Sequence, residues 1–274
     1  METYKVIKKQ VEKCLKEGKR LDSRGNFEYR DIKTQTTVSV NAEGSVSVKI
    51  GKTEVLAGIK MGVGTPYTGH EKEGTMMTSL ELTPLSSPDF DYGPPRIESI
   101  EPARIIDRGI RESGFIDFEG LCIEEGEKVW NVFVDIVTIN NDGNLIDAGA
   151  LAAVIALRIA KMPVYDAEAE TIKYGEFTEE GLPLNVDKMP ITMTFYKAGD
   201  SLFVDPNLDE DKSADGRLTV EVSEPTNSKE LMINAMQKGD LATLSIEEVE
   251  TILKEAKKIF KSLKDIVEEA VKNA

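Results

Sequence analysis

The stretch Lys128-Val129-Trp130-Asn131-Val132-Phe133-Val134-Asp135-Ile136-Val137-Thr138-Ile139-Asn140, followed by Asn141-Asp142-Gly143 and by the apolar run Asp147 to Lys161, decides the fold class. Its first part is β-branched and aromatic and holds the only Trp, the composition of a buried strand. Asn140 to Gly143 are turn residues and end that strand. From Asp147 to Lys161 apolar residues follow almost without interruption, so the helix they form must be covered on most of its sides. A buried strand leading into a buried helix needs further strands and helices around both.

Outward toward the N-terminus, Thr37 to Val63 alternates apolar with small or polar residues. The pairs Val38 and Val40, then Val46, Val48 and Ile50, then Val55, Ala57 and Ile59 read as a strand meander with turns near Asn41–Gly44 and Gly51–Lys52. Met76 to Leu85 reads as another strand, and Pro88 to Pro95, with its prolines and Gly93, as a loop. Ser99 is placed to cap a helix from Ile100 to Ser113, with Pro102 in a first turn and Gly114 at the end. Before all of this, Tyr4, Ile7, Val11, Cys14 and Leu15 recur at helical spacing over residues 3–17, with Gly18 as the stop.

Toward the C-terminus, the polar and acidic stretch from Pro163 to Asp187 reads as a connection. A second strand set follows at Ile191–Tyr196, Leu202–Val204, Arg217–Val222 and Leu231–Met236. Ser245 and Glu248 then form a capping box that opens a long amphipathic helix through Ile252, Ala256, Ile259, Leu263 and Val267. The fold class is α+β with two subdomains, each of mixed strands packed with helices. The expected division is an N-terminal helix and lead-in over residues 1–29, a first subdomain over 30–165, a connection over 166–189 and a second subdomain over 190–274.

The 274 residues carry 34 Lys plus Arg against 49 Asp plus Glu, a formal charge of −15. That excess repels a phosphate backbone on average and excludes a nucleic-acid binder of the broad basic-face kind, though not a local basic patch. With 40% hydrophobic residues and no low-complexity tract the chain is expected to fold. No apolar run approaches the roughly 18 residues of a membrane span, and the N-terminus lacks a signal-peptide apolar core, so the chain is expected in the cytoplasm. Cys14 and Cys122 stand far apart with no metal-ligand spacing and read as packing residues.

Three motif fragments fail on inspection. Gly51-Lys52-Thr53 resembles the end of a phosphate-binding loop, but Val46 stands where that loop needs its first glycine. Gly62-Val63-Gly64 follows a strand without opening a helix. The acidic run Asp205 to Asp215 lacks the glycine and the final glutamate of a calcium loop, having Glu210 and Gly216 at those positions. It stays open as a solvated turn, a magnesium contact or a degenerate catalytic acid. His70 lies in a Gly-Thr-Glu loop with no triad partner and reads as a surface residue.

The basic residues are less evenly spread. Of nine Arg, four fall within sixteen positions: Arg96, Arg104, Arg108 and Arg111. On the predicted helix, 104, 108 and 111 share one stripe, while Ala103, Ile106 and Ile110 face the core. Arginine suits forked contacts with phosphate oxygens. The alternative is that Glu101, Asp107 and Glu112 neutralise the stripe through helical pairs.

Several spaced motifs, in order, resemble the ribonuclease PH family. They are Gly18-Lys19-Arg20-Leu21-Asp22-Ser23-Arg24, the Ala42-Glu43-Gly44-Ser45 turn, Gly51-Lys52-Thr53-Glu54-Val55-Leu56-Ala57, Glu101-Pro102-Ala103-Arg104-Ile105-Ile106-Asp107-Arg108-Gly109-Ile110-Arg111-Glu112-Ser113, Gly143-Asn144-Leu145-Ile146-Asp147-Ala148 and Val204-Asp205-Pro206-Asn207. Within that family they are most similar to the archaeal exosome ring subunit that lacks catalysis itself and pairs with a catalytic sister. The resemblance implies a ribonuclease PH-like fold and a six-membered ring of three heterodimers. It also implies a trimeric cap of RNA-binding subunits, and RNA degraded from its 3′ end by inorganic phosphate. No cofactor and no resident metal are implied.

In active relatives a Gly-Thr-Arg element after the Asp-Gly turn is expected to hold the phosphate ion. Here the corresponding residues are Asn144, Leu145 and Ile146, so the hydroxyl and the cation are both replaced by aliphatic side chains. Asp215 is the position that would correspond to the general acid of active members, in a context that no longer matches. On the helix, Arg104 and Arg108 correspond to arginines that would hold RNA at the partner's site, with Arg111 and Arg96 as further candidates. The function implied is a non-catalytic ring component in 3′-to-5′ RNA degradation. Two alternatives stand beside it: an active phosphorolytic or metal-dependent exoribonuclease, and a pure ring scaffold without RNA contact.

Overall fold

A computed structural model describes residues 2–226 and 230–274, with side chains from residue 6 onward. The predicted strand of the opening stretch is β6 (Lys128–Asn140), flanked by β3 (Thr53–Gly64) on one side and β4 (Thr75–Glu81) on the other. Its central place explains why Val132, Val134, Ile136 and Thr138 are all fully buried. The first sheet runs β1 (Ile32–Thr36), β2 (Gly44–Ile50), β3, β6, β4, with the short β5 (Cys122–Glu124) also on β6. All its neighbours are antiparallel except β4 and β6. The second sheet has the order β10 (Ser201–Val204), β9 (Ile191–Ala198), β11 (Gly216–Ser223), β12 (Met232–Asp240) and is antiparallel throughout.

Two helices lie between the sheets. α2 (Ile97–Ser113) touches β4 on one side and β11 and β12 on the other, and α3 (Leu145–Ile159) touches β2, β3 and β6 on one side and β9 on the other. Being covered by both sheets and by α2, α3 has every residue from Ile146 to Leu157 buried, as its unbroken apolar run predicts. The long helix α5 (Ile246–Lys272) lies on α3, β9 and β1 and buries only one stripe, Ile252, Ala256, Ile259, Phe260, Leu263 and Val267. Its capping box is formed, with Glu248 N donating to Ser245 Oγ at 3.2 Å and Ser245 N donating to Glu248 Oε2 at 2.8 Å.

One apolar core runs through both sheets and the helices between them. Each fully buried Val, Leu or Ile side chain in it contributes about 1.5–3 kcal/mol. A second, small cluster joins α1 (Glu2–Lys16) to the second sheet through Val11, Leu15, Tyr196, Ala198 and Phe203. Tyr4, part of the predicted stripe of α1, falls outside the described side chains.

Three expectations are corrected. The meander does not begin at Thr37–Val40: the strand is β1, and Thr37 takes a left-handed φ of 56°, which turns the chain out and leaves Val40 82% exposed. Helix α2 begins at Ile97, with Arg96 as its uncapped first flank, so Pro102 lies inside it and Ser99 is a buried residue of the first turn bonded through Oγ to Arg96 O at 3.0 Å. The polar connection is in large part a hairpin, β7 (Lys161–Asp166) with β8 (Thr171–Gly181). Most of β8 is exposed on both faces, so it lacks the apolar alternation by which a strand is read from sequence.

Candidate functional site

The N-terminus of α3 is where the phosphate element of active relatives is expected. Gly143 has φ 82°, and a Cβ there would lie 2.6 Å from Pro206 O, so only glycine lets this turn lie against the Pro206 backbone. Asn144 follows, also left-handed at φ 59° and fully buried. Its backbone N–H donates to Asp211 Oδ2 at 3.1 Å and its Nδ2 donates to Asp205 Oδ1 at 2.8 Å. Leu145 is half-buried and Ile146 buried. No cation or hydroxyl of these three residues faces the helix end, and a carboxylate already accepts the amide that an anion would need.

Asp147, in the first turn, adds a third carboxyl. Its Oδ2 accepts from Tyr29 OH at 2.7 Å and from Thr194 N at 3.2 Å, while Oδ1 has no partner. Burial pushes both Asp147 and Asp211 up to about 6. Burial would raise Asp205 as well, but the Arg30 guanidinium outweighs it and holds that carboxyl below the usual range. Arg30 Nη2 donates to Asp205 Oδ1 at 2.7 Å, and Arg24 Nη1 donates to Oδ2 at 3.0 Å. The helix end is thus closed by the chain's own acids, and the nearby arginines are already committed to them.

Asp215 is the position expected to correspond to the general acid of active relatives. It lies beyond α4 (Leu208–Ser213), ion-paired with Lys8 of α1, and accepts from Gly199 N at 2.8 Å. The carboxylate that accepts the Asn144 backbone amide at the α3 terminus is Asp211. Asn207 and Glu210 form a capping box that sets the pitch of α4 and turns Asp211 inward. Glu210 is also ion-paired to the buried Arg20, whose Nη1 donates to Val204 O at 2.7 Å. Among the described residues no group of three His, Cys, Asp or Glu is arranged to hold a metal ion.

The arginines of α2 divide. Arg104, Arg108 and Arg111 are all exposed, and Ala103, Ile106 and Ile110 are buried on the opposite face. Arg111 is turned back onto its own body, donating to Asp107 Oδ2 at 3.1 Å and to Met76 O at 2.9 Å, 5.6 Å from the Phe118 ring centroid. Glu101 is drawn off the stripe by Arg217, at 2.8 Å. Arg108 Nη1 donates to Gln237 Oε1 on β12 at 3.0 Å. Among the described residues the side chains of Arg104 and Arg96 have neither an ion pair nor a hydrogen bond. Two neighbouring cations on one exposed helix face, Arg104 and Arg108, therefore keep their charge.

Beneath that face is a residue the sequence did not single out. Glu221 of β11 is buried, with Oε1 unpartnered, and a Cβ on Gly109 would lie 2.5 Å from its carboxyl carbon. Burial pushes Glu221 up to about 8, against the pull of Arg108. In sequence it is one more polar residue of a strand; only the packing of α2 across β11 shows its situation. Carboxyls raised on folding bind protons in the native state that the unfolded chain has lost, so stability falls as pH rises between the two values. The thermal midpoint is expected to decline from about pH 4 to about pH 8, Asp147 and Asp211 acting up to about pH 6 and Glu221 across nearly the whole window, alone above about pH 6. Glu221→Gln should flatten the decline above about pH 6; a midpoint that rises across the window would contradict the assignment.

Residues 28–163 match the family model described as 3′ exoribonuclease family, domain 1, and residues 188–259 match that of domain 2. A curated relative from Thermococcus onnurineus, named Exosome complex component Rrp42, is 44% identical over 246 residues, covering 89% of this chain and 88% of that protein. One of the same name from Methanosarcina acetivorans is 44% identical over 232 residues, covering 85% and 82%. Among solved structures, a chain of the Archaeoglobus fulgidus exosome with RNA bound to the active site superposes with a TM-score of 0.86 at 37% identity, over 97% of this chain and 99% of that one. A chain of an archaeal exosome core gives 0.80 at 36% identity, over 96% and 98%. With both domain models matched in order, on a fold shared with these structures, the chain belongs to the ribonuclease PH, or 3′ exoribonuclease, family.

Proposed function

We propose that this chain is a non-catalytic ring subunit of an archaeal-type exosome, acting in 3′-to-5′ RNA degradation in the cytoplasm. It pairs with a catalytic ribonuclease PH-like sister, three pairs close a six-membered ring, and a trimeric cap of RNA-binding subunits covers one face. The relatives named as exosome components and the likeness to exosome structures support the assembly. Phosphorolysis brings a phosphate ion to a phosphodiester, releasing a nucleoside diphosphate and a shortened RNA, and two anions meet only inside a cationic clamp. One contrast carries the assignment of role: the α3 terminus that would hold phosphate is filled by Asn144, Asp205 and Asp211, while Arg104 and Arg108 stand exposed with no acidic partner among the described residues.

The chain supplies phosphate contacts that hold the RNA backbone near the sister's active site without choosing sequence. Purified alone, it is expected to release no nucleotide from RNA in the presence of inorganic phosphate. Mixed with the sister chain it should form an active ring, and removing the sister's catalytic acid should abolish that activity. Phosphate-dependent degradation by the isolated chain would overturn the non-catalytic assignment.

A further inference from the structure

The nine arginines do not share one kind of partner. Arg20, Arg24, Arg30, Arg111, Arg158 and Arg217 are each ion-paired to a carboxylate. Among the described residues, Arg108 is the arginine held by a neutral side chain alone, the amide of Gln237. A carboxylate at that place would fix the guanidinium and cancel its charge; an amide oxygen fixes it and leaves the charge available.

The arrangement around the pair is specific. Gln237 lies opposite Thr219 in the β11–β12 register, on the sheet face crossed by α2, diagonal to Glu221. Its Nε2 donates to Lys238 O at 3.3 Å, which turns Oε1 toward Arg108. Glu221 is the competing acceptor on that face. It is wedged beneath Gly109, and burial favours its uncharged form at neutral pH, which weakens its pull on the guanidinium. Asp107, the acid next to Arg108 on the helix, is engaged by Arg111 and by Thr78 Oγ1.

We infer that Gln237 is a positioning residue: it holds the Arg108 guanidinium at the exposed edge of α2 and β12 with its full charge, oriented for an RNA phosphate. The inference rests on the RNA-holding role proposed for Arg108. Gln237→Met keeps the length and removes the acceptor. Gln237→Glu keeps an acceptor and neutralises the arginine.

The test uses the assembled ring with the sister subunit, checked for unchanged mass, and a short single-stranded RNA titrated at two or more salt concentrations. The Gln237→Met ring should bind about threefold more weakly with an unchanged salt slope, and should raise KM for RNA without lowering kcat. The Gln237→Glu ring should bind about tenfold more weakly and lose about 0.7 from the slope of log affinity against log salt, one phosphate contact on a single strand. In an Arg108→Ala ring, Gln237→Met should add nothing. Wild-type affinity in both Gln237 variants, or an equal loss from Gln237→Met in the Arg108→Ala ring, would overturn the positioning role. If instead the Arg108→Ala ring itself bound RNA like the wild type, the failure would lie with the role proposed for Arg108.

Discussion

A ring assembled with Arg104→Glu and Arg108→Glu is expected to bind short single-stranded RNA on the order of a hundredfold more weakly than the wild-type ring at moderate salt. Both guanidiniums lie on an exposed helix face with no acidic partner among the described residues, so each can give its charge to a phosphate. Reversing both removes two attractive contacts and adds two repulsive ones. The slope of log affinity against log salt should fall by about 1.4, two contacts at about 0.7 each. The chain should still fold, because neither side chain belongs to its core. Fluorescence anisotropy on gel-filtered ring measures both quantities, and unchanged affinity would leave the chain as a scaffold without RNA contact.

The second large effect is on stability. Asp205→Asn is expected to destabilise the chain by about 3–5 kcal/mol, the range for breaking a buried ion pair. Asp205 is fully buried, and its two oxygens accept from Arg24, Arg30 and Asn144. It also takes φ 46°, which asparagine tolerates, so Asp205→Asn tests the charge apart from the backbone. The midpoint of thermal unfolding should fall by about 10 °C. Asp31→Asn, which breaks the surface pair with Lys33 at 3.3 Å, should change stability by less than about 1 kcal/mol. Equal effects from the two substitutions would show that the Asp205 network is not what ties residues 20–30 to the second sheet.

The buried strand β6, the apolar helix α3 and the capped helix α5 were legible because each is declared by its own composition and spacing. The start of α2 was not, because Pro102 favours a first-turn position and nothing local shows that three more residues precede it in the helix. The hairpin β7–β8 was hidden by polar residues on both faces. At the α3 terminus, that Asn144, Leu145 and Ile146 bring neither a cation nor a hydroxyl could be read from three adjacent letters. Which acid stands beside them could not: Asp211 and Asp215 are four positions apart, and only the fold shows that Asp211 accepts the Asn144 amide while Asp215 pairs with Lys8. Arg20 and Arg30 carried no signal of their partners, which lie in the second half of the chain.

Under the proposed function, the way the α3 terminus is filled bears on how a catalytic site would be lost. Ile146 is 5% exposed and packed as part of the helix, so a guanidinium restored there would enter apolar surroundings instead of facing a phosphate ion. The amide that would greet the ion is already bonded to Asp211, and the nearby Arg30 is bonded to Asp205. Under the proposed function, the former ligand pocket has become part of the scaffold, with internal carboxylates standing where the substrate's charge once sat. Such a loss is ratcheted. A phosphate ion would have to displace carboxylates that already bond Asn144, beside a buried Ile146, so under that function the chain would keep its dependence on a partner's chemistry.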